Sequence, residues 1–365
     1  MNINKLHEMT NWLNKEHLDG VILTDYHDIA YLTGFNSDPI ERVLALVLFA
    51  NYEPFLFGPA LEVNSMVVSG WQFDTVGYED NQNPWKMIAS KLKSLTSGTQ
   101  FAIQFDQITL SRYNALKKAL PNVSFLKDAT GQINQMRLIK SKDELQKMKV
   151  AGQEADKAFE IGFNLMENGI SEISLASDIE YQLKKLGISN MSFETLVQFG
   201  AHAANPHGTS SLIPLKSHEM VLFDLGTIHD GYASDATRTI AYGKVDDLSE
   251  KIHAVVLEAQ LTAQSKAKIG MTANELDNIA RKVITKAGFG PNFVHRLGHG
   301  LGTSVHEFPS IVAGNDLILK EGMAFSIEPG IYIPNMAGVR IEDSGYMSKN
   351  GFIPFTETSK SLYQH

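Results

Sequence analysis

A pair of strand-like segments that both carry aspartate constrains this fold more than any other feature of the sequence. Residues 220–226 read MVLFDLG, an apolar strand pattern with Asp224 near its end. Residues 232–240 read YASDATRTI and include Asp235. The Asp-Gly dipeptide between them is typical of a tight β-hairpin. The pattern therefore predicts two antiparallel strands that bring two carboxylates into one sheet.

The register of this hairpin decides how close the two carboxylates come. If residues 228–231 form the loop, Thr227 faces Tyr232. Counting back in that register places Asp224 directly opposite Asp235. Cross-strand Cβ atoms lie roughly 4.5–5.5 Å apart, and like charges at that distance are destabilising without a counter-ion. Such a pair would suit two metal ions about 3.5–4 Å apart. Taken alone, either aspartate is better explained as a strand-end cap or an exposed residue.

A second acid-bearing hairpin is predicted further along the chain. Residues 323–330 (MAFSIEPG) end a strand pattern in Glu328, and residues 339–343 (VRIED) return after a Pro-Asn loop with Glu342. A glutamate in an apolar strand is costly to bury unless it is paired or bound to a metal. The alternative is an edge-strand residue that faces water. Two such hairpins hint at an internal pseudo-repeat that folds around one site.

Between the hairpins, residues 294–307 (VHRLGHGLGTSVHE) combine three histidines with three glycines. The glycines let the backbone approach a ligand closely and argue against a helix, so this is not the helical HExxH zinc motif. A lone histidine is more often structural than a ligand, but His299 stands between glycines. His207, in the turn-rich segment NPHG, is a weak signal by itself. Histidines on polar patterns, which are interpreted as surface residues without a role, include His7, His17 and His253.

Composition narrows the chemistry that these residues can perform. The chain of 365 residues has 41 acidic and 32 basic residues, and its net charge of −9 repels nucleic acid and anionic membranes. It has no cysteine, so any metal must be held by oxygen and imidazole. Residues 1–8 lack the apolar core of a secretory signal, and no stretch reaches about 18 uncharged apolar residues. The sequence therefore predicts a cytoplasmic protein with neither a nucleic-acid nor a membrane partner.

The length favours two domains, since about 150 residues per domain is usual. The first 132 residues alternate short apolar runs with helical patterns, which indicates an α/β domain. Strands are predicted at residues 20–23, 43–49 and 101–103. Helices are predicted at residues 85–95 and 111–120. Ser141 and Glu144 form a capping box for a long helix through about Met166. Further helices are predicted at 175–186 and 249–267, in a second domain over residues 133–365.

Four segments together resemble the metal-binding segments of the pita-bread metallopeptidase family, in its branch of Xaa-Pro dipeptidases (prolidases) and aminopeptidases P. They read VLFDLGTIHDGYASDATRT, HRLGHGLGTSVHE, SIEPGIY and GVRIEDSG. The segment DYHDIAYLTGF extends the resemblance into the first half of the chain. The resemblance implies a creatinase-like α/β domain over residues 1–132. It also implies a pita-bread catalytic domain over residues 133–365, with a curved, mostly antiparallel sheet backed by helices.

The resemblance also implies a site for two metal ions. Its five metal ligands fall on Asp224, Asp235, His299, Glu328 and Glu342. Asp235 and Glu342 resemble the ligands that bridge both ions, whereas His299 and Glu328 resemble ligands of one ion. Four carboxylates and one imidazole suit Mn²⁺ and also accept Co²⁺, Zn²⁺ or Fe²⁺. Two divalent ions per subunit, most simply Mn²⁺, are therefore expected.

A family member of this kind would hydrolyse the Xaa-Pro bond of dipeptides. A hydroxide that bridges both ions would attack the scissile carbonyl, and Glu328 would take the proton of the water and return it to the proline nitrogen. By resemblance, His207 and His306 are catalytic residues that line the pocket and donate hydrogen bonds. His295 is a further candidate for substrate binding.

A dipeptidase must also bind the C-terminal carboxylate of its substrate. An arginine fork is the best partner for that group, and Arg296 and Arg340 stand beside predicted ligands. Either arginine could instead bind the acids of the metal site. By resemblance the protein is a homodimer, and residues 36–42 (NSDPIER) are the candidate loop that approaches the active site of the partner.

Alternatives to a proline dipeptidase stay open at this point. An aminopeptidase P would act on longer peptides with proline in second position, and motifs do not settle substrate length because loops close the cleft. A metal-free amidinohydrolase or a non-catalytic peptide- or protein-binding relative would have lost metal ligands, and the five intact ligand types speak against both. A methionine aminopeptidase is disfavoured because that subfamily lacks a creatinase-like first domain of this kind.

Overall fold

The computed structural model describes residues 3–206 and 208–363 and divides into two compact units, Met1–Met136 and Arg137–His365. The predicted boundary between residues 132 and 133 lies within the helix Thr130–Leu138, and the extent of each domain stays a prediction. None of the helices in the described parts of the chain has both the length and the apolar character of a membrane span.

The first unit is a mixed sheet with helices packed on it. Its strands are β1 (Gly20–Leu23), β2 (Ala45–Phe49), β3 (Phe55–Pro59), β4 (Asp74–Tyr78), β5 (Gln100–Ile103) and β6 (Ser124–Asp128). Its helices are α1 (Ile3–Lys15), α2 (Tyr26–Thr33), α3 (Val63–Val68), α4 (Pro84–Leu95), α5 (Leu110–Ala119) and α6 (Thr130–Leu138), and a 3₁₀ turn covers Ala60–Glu62. The strands lie in the order β4-β3-β2-β1-β5-β6, with β1 antiparallel to β2 and parallel to β5.

Strand β1 shows why this sheet reads as runs of apolar residues. Val21 and Leu23 belong to a core cluster with residues of α1, whereas Ile22 belongs to a second cluster with residues of α4. Successive residues of a strand point to opposite faces, so a strand covered on both faces must be apolar at every position. The predicted α/β architecture of this half is confirmed.

The second unit is built on a curved antiparallel sheet backed by helices. Its helices are α7 (Lys142–Leu165), α8 (Glu172–Lys185), α9 (Asp247–Lys266) and α10 (Ala273–Lys286), with 3₁₀ turns at Gly200–Ala204 and Gly290–Asn292. Its strands are β7 (Leu196–Phe199), β8 (Glu219–Leu225), β9 (Ile228–His229), β10 (Tyr232–Ala233), β11 (Ala236–Tyr242), β12 (Gly298–Gly300), β13 (Glu307–Ile311), β14 (Ala324–Ile327), β15 (Gly330–Ile333), β16 (Ala337–Arg340), β17 (Glu342–Ser348) and β18 (Gly351–Pro354). The main sheet runs β13-β12-β14-β17-β11-β8-β7, with β18 paired to β17, and β9-β10 and β15-β16 form separate hairpins. The predicted fold class is confirmed.

Helix α7 begins at the predicted capping box. The Ser141 hydroxyl accepts from the Glu144 N–H at 3.3 Å, and Glu144 Oε2 accepts from the Ser141 N–H at 2.8 Å, so two donors at the helix start are satisfied. An added Cβ on Gly152 of this helix would lie 2.4 Å from the Phe355 carbonyl oxygen. The missing side chain therefore lets α7 pack closely on the segment that follows β18.

Two features of the second unit differ from the predictions. Helix α10 is absent from the predicted helices, although it begins at a capping box of Thr272 and Glu275 that the sequence contains. His253, interpreted as a surface residue, is buried on α9 with 3% of its surface exposed. That interpretation is wrong because His253 lies beside Ile252 and three positions before Val256, on the apolar face of the helix.

Candidate metal centre

The first acid-bearing hairpin has a tighter turn than predicted. Asp230 and Gly231 both have positive φ, 47° and 80°, the pattern of a two-residue type I′ turn. Strands β8 and β11 then pair so that Asp224 lies opposite Thr237. The prediction that Asp224 lies directly opposite Asp235 is wrong by two residues, because it assumed a four-residue loop. A shift of two residues keeps both carboxylates on one face of the sheet.

The sequence-predicted ligand residues converge from neighbouring strands. Their positions are β8 for Asp224, the residue before β11 for Asp235, β12 for His299, the residue after β14 for Glu328, and the start of β17 for Glu342. Strands β12, β14, β17, β11 and β8 are consecutive in the sheet. In two overlapping groups the ligand atoms lie within 4.8 Å of one another: Asp224, Asp235 and Glu342, and His299, Glu328 and Glu342. The fold therefore brings all five residues together.

The carboxylates of this cluster repel one another. Burial raises the pKa of Asp235 well above its usual range, and the carboxylates of Asp224 and Glu328 raise it further. Burial likewise raises the pKa of Glu342, with Asp235 as the next cause. Like charges this close are ionised together only when a cation neutralises them. The cluster is therefore a place where positive charge is strongly favoured.

Two oxygen atoms of the cluster fit a metal ion directly. Asp224 Oδ1 and Glu342 Oε1 are buried and have no hydrogen-bond partner among the described residues. Buried polar atoms without a partner are rare because their desolvation is not compensated. Both residues belong to the same group, in which one carboxylate oxygen from each lies within 4.8 Å of the others. A divalent cation is the partner that this set of oxygens suits.

The imidazole of His299 has the tautomer of a metal ligand. Its Nδ1 lies 3.1 Å from the Gly300 carbonyl oxygen, which can only accept, so Nδ1 carries a proton. In the neutral ring, Nε2 then presents its lone pair to the cluster. Nε2 lies 3.4 Å from Asp235 Oδ2 and 3.3 Å from Glu328 Oε1. A histidine oriented in this way by a backbone carbonyl is typical of metal sites.

Neighbouring side chains orient three of the carboxylates through one oxygen each. The bonds run from Ser326 Oγ to Glu328 Oε1 (2.9 Å), from Thr237 Oγ1 to Glu342 Oε2 (2.8 Å) and from Arg340 Nη2 to Asp224 Oδ2 (2.5 Å). In Asp224 and Glu342 the other oxygen is the one without a partner among the described residues. Outer contacts of this kind hold ligands in place and leave one oxygen available to an ion.

A cavity of about 700 Å³ opens onto the cluster, and all five cluster residues line it. Its other walls are formed by Ser192, Phe193, Pro206, His295, Arg296, Val305, His306 and Arg340. Small-molecule sites commonly have volumes of roughly 300–1,000 Å³ and combine apolar walls with a few polar groups. The cavity is therefore large enough for a short peptide beside the cluster.

His306 lies next to the cluster, on a loop that ion pairs and hydrogen bonds hold in place. Its ring centroid lies 3.8 Å from that of His299. His306 is exposed and lines the cavity. The side chain of the next residue, Glu307, is 5% exposed and forms ion pairs with Arg137 and with Lys140, whose Nζ lies 2.7 Å away. Arg137 also donates to the hydroxyls of residues 303 and 304. The loop that carries His306 is therefore anchored by buried charges.

The two predicted arginines have different surroundings. Arg340 is 4% exposed and donates to Asp224, Thr237 and the Tyr332 hydroxyl. Arg296 is half-buried, lines the cavity, and donates through Nη1 to the Ser310 hydroxyl at 2.9 Å. Arg340 is thus committed to the outer contacts of the cluster, whereas Arg296 presents a guanidinium to the cavity.

His207, one of the residues predicted to be catalytic, lies outside the part of the chain that the structure describes. Its neighbour Pro206 lines the cavity. His295 also lines the cavity, and both of its ring nitrogens have partners, Nδ1 with the Arg296 carbonyl oxygen and Nε2 with the Tyr332 hydroxyl. The sequence predicted no role for Tyr332, although this residue ends the SIEPGIY segment. An aromatic residue in a strand pattern usually indicates a residue of the hydrophobic core, so nothing in the pattern distinguishes Tyr332.

A group of carboxylates and an imidazole on the wall of such a cavity is typical of metal-dependent hydrolases. Residues 146–349 match the model of metallopeptidase family M24, and residues 5–139 match the creatinase/prolidase N-terminal domain. The chain belongs to metallopeptidase family M24 and is a peptidase. The predicted resemblance and enzyme class are confirmed.

Known relatives match the chain over almost its whole length. It is 50% identical over 364 residues to the Xaa-Pro dipeptidase of Lactobacillus delbrueckii subsp. lactis, which covers 99% of this chain and 98% of that protein. Among solved structures, the Xaa-Pro dipeptidase of Bacillus anthracis is similar with a TM-score of 0.91 and 31% identity, covering 99% of both chains. The prolidase of Thermococcus sibiricus is similar with a TM-score of 0.93 and 34% identity, also covering 99% of both chains.

Proposed function

We propose that this protein hydrolyses the Xaa-Pro bond of dipeptides and uses two divalent metal ions to do so. The observation that carries the proposal is the buried cluster of carboxylates and imidazole, with two buried oxygens that have no partner among the described residues, on the wall of a cavity. The full-length similarity to Xaa-Pro dipeptidases supports the choice of substrate.

The grouping of the ligand atoms supports two ions. Glu342 belongs both to the group with Asp224 and Asp235 and to the group with His299 and Glu328. A carboxylate shared by two groups is suited to bridge two ions. Oxygen ligands with one imidazole favour Mn²⁺, and Co²⁺, Zn²⁺ or Fe²⁺ also suit them. Ions held here would supply Lewis acidity at the scissile carbonyl and would make water easier to ionise.

Glu328 is the proposed proton carrier. Its carboxylate is half-buried and lines the cavity, and the Ser326 hydroxyl donates to Oε1 at 2.9 Å. As general base it would take a proton from the attacking water. The nitrogen of an Xaa-Pro bond has no N–H and needs a proton before it can leave, so Glu328 would return the proton to that atom. A half-buried carboxylate on the cavity wall suits both transfers.

Arg296 is the better candidate for the substrate carboxylate. Arg340 already donates to three partners, whereas the described contacts of the Arg296 side chain use one of its N–H groups, to Ser310. Guanidinium and carboxylate pair through two parallel hydrogen bonds, and such a fork would select a peptide that ends at proline. Its position in the wall of the cavity supports a preference for dipeptides.

Other roles rest on the family resemblance. We propose that His306, beside His299, donates a hydrogen bond to the oxygen of the tetrahedral intermediate, and that His207 does so as well. A homodimer, with residues 36–42 near the active site of the partner, and a cytoplasmic location are further proposals. Within the first unit that loop lies between α2 and β2, and its Arg42 forms an ion pair with Asp80 at 2.9 Å.

The proposal is tested by hydrolysis assays with metal-stripped protein. Leu-Pro and a pentapeptide that begins Leu-Pro are each offered with and without added Mn²⁺. Metal-dependent cleavage of Leu-Pro alone is expected. Cleavage of the pentapeptide would instead indicate an aminopeptidase P, and a protein that binds no divalent metal and cleaves neither peptide would indicate a binding protein.

A further inference from the structure

The Tyr332 hydroxyl lies buried between two residues of the cavity wall. It is 2.9 Å from His295 Nε2 and 2.9 Å from Arg340 Nη1. Tyr332 and Arg340 are each 4% exposed. A Cβ added to Gly330 would lie 2.4 Å from this hydroxyl, so Gly330 leaves the space that the hydroxyl occupies. A side chain at Gly330 would therefore displace this oxygen atom from its two partners.

The direction of each hydrogen bond follows from the chemistry of the partners. His295 Nδ1 lies 2.7 Å from the Arg296 carbonyl oxygen, which can only accept, so Nδ1 donates. In the neutral ring Nε2 must then accept, and its donor is the Tyr332 hydroxyl. Arg340 has only N–H donors, so the hydroxyl oxygen accepts from it. Every group in this chain of bonds has a compatible role.

The protonation states agree with these directions. Burial lowers the pKa of His295, which keeps its ring neutral near pH 7. Burial also raises the pKa of Tyr332 to about 12, so that the hydroxyl keeps its proton. The chain of bonds is therefore stable in the pH range in which a peptidase would work.

The two ends of this chain of bonds are functionally different. One end is the backbone of Arg296, whose guanidinium is the proposed partner of the substrate carboxylate. The other end is Arg340, which donates to Asp224 Oδ2 at 2.5 Å and to Thr237 Oγ1 at 3.0 Å. Tyr332 thus connects the peptide-binding end of the cavity to the metal-binding end without lining the cavity itself.

We propose that Tyr332 is a positioning residue for recognition of the substrate's C-terminal carboxylate. It holds His295, which holds the backbone at Arg296, so that the guanidinium is aimed at the carboxylate. This inference rests on the proposed dipeptidase function. It also gives His295 a different role from the predicted one: the ring bridges Tyr332 and Arg296 and presents only its carbon edge and face to a substrate.

The test compares two substrates that share the scissile bond. Leu-Pro carries the free carboxylate, and Leu-Pro amide does not. In Tyr332→Phe the ratio of kcat/KM for Leu-Pro over Leu-Pro amide is expected to fall about 10-fold, mostly through KM for Leu-Pro, which is the low end of typical outer-contact effects. In an Arg296→Met background, Tyr332→Phe should no longer change the ratio. Tyr346→Phe, which removes a hydroxyl from the same unit outside the cavity lining, is the matched control.

Equal losses on both substrates would overturn the proposal, because they would show general damage instead of lost carboxylate recognition. A separate measurement on the unmutated protein does not depend on activity. The ¹⁵N spectrum of labelled histidine, with His295 assigned by its loss in His295→Asn, is expected to show a protonated Nδ1 and an accepting Nε2. A proton on Nε2 would overturn the proposal even if Tyr332→Phe does not fold. Failure of the unmutated protein to cleave Leu-Pro would contradict the proposed function, and the spectrum would still decide the bonding of Tyr332.

Discussion

Glu342 and Asp343 are adjacent on β17, yet they belong to two regions of the sheet with opposite electrostatics. Glu342 joins the acids of the candidate metal centre, where burial and then Asp235 raise its pKa, and its Oε1 has no partner among the described residues. Asp343 accepts hydrogen bonds from five side chains: Arg238, Gln260, Gln264, Thr356 and Lys360. Burial alone would raise the pKa of Asp343, but Arg238 and Lys360 hold it well below its usual range.

The contrast shows that burial by itself does not mark a functional carboxylate. Glu342 is 2% exposed and Asp343 is 0% exposed. A buried charge whose acceptor sites are all filled by donors of the protein stabilises the fold, whereas one held among like charges needs a ligand from outside. A candidate metal centre is therefore recognised by buried carboxylate oxygens that have no donor among the described residues.

Replacing the proposed proton carrier should give the largest effect. Glu328→Gln is expected to lower kcat for Leu-Pro about 10²- to 10⁴-fold, the usual contribution of a general acid–base residue. The free energy of unfolding of the metal-free variant should not fall, because Glu328 is half-buried and is one of the repelling carboxylates. Steady-state kinetics in Mn²⁺ measures the loss. Glu321→Gln, at an exposed glutamate before β14, is the control, and an equal loss there would remove the role from Glu328.

Removing the charge of Asp343 should mainly affect stability. Asp343→Asn leaves the buried guanidinium of Arg238, 2.7 Å away, without its counter-ion. Breaking a buried ion pair in this way costs about 3–5 kcal/mol. Urea unfolding of the metal-free protein measures the change in the free energy of unfolding, with the exposed Asp316→Asn as control. A loss similar to that of the control would mean that the donors around Asp343 do not depend on its charge.

The neighbouring substitution Glu342→Gln should have the opposite sign in metal-free protein. It removes one of several repelling carboxylates, so the free energy of unfolding should rise or stay unchanged. Mn²⁺ at 100 times its Kd should stabilise the unmutated protein by about 2.7 kcal/mol, and Glu342→Gln should lose most of this gain. Thermal melts with and without Mn²⁺ measure both effects. Destabilisation of the metal-free variant would contradict the contrast between the two residues.

A smaller, pH-dependent effect is expected from His253 on α9, the helix that supplies Gln260 and Gln264 to Asp343. Burial lowers the pKa of His253 from 6.5 to about 4. Between these values the unfolded chain binds a proton that the folded protein rejects, so stability falls as the pH drops. The loss between pH 7 and pH 5 should be about 2 kcal/mol. His253→Gln should reduce the fall, which urea unfolding at both pH values measures. An unchanged pH dependence would assign the fall to other groups.

The positions of the candidate ligands could be predicted because each lies in a local pattern. Asp224 and Glu328 interrupt apolar strand segments, and His299 lies between glycines, so each residue is anomalous beside its own neighbours. The capping box at Ser141 is equally local, and the structure contains it. Signals confined to a few residues survive in the sequence without knowledge of the tertiary fold.

Features that depend on distant partners could not be predicted in the same way. Nothing near Asp343 indicates Gln260 or Lys360 as its donors, so its difference from Glu342 is invisible in the sequence. The register of the first hairpin depends on the length of its loop. The prediction assumed a loop of four residues, whereas Asp230 and Gly231 alone form the turn. The polar neighbours of His253 predict a surface position, although the packing of α9 on the core decides its burial.

The most direct test of the central claim is a calorimetric titration of metal-stripped protein with Mn²⁺, with Leu-Pro hydrolysis measured at each addition. Two ions per chain in the unmutated protein, activity that rises with occupancy, and weakened or lost binding in Glu342→Gln are the predicted results. Unchanged Mn²⁺ binding in Glu342→Gln, or Leu-Pro hydrolysis that does not respond to the metal, would contradict the assignment of this cluster as the metal centre.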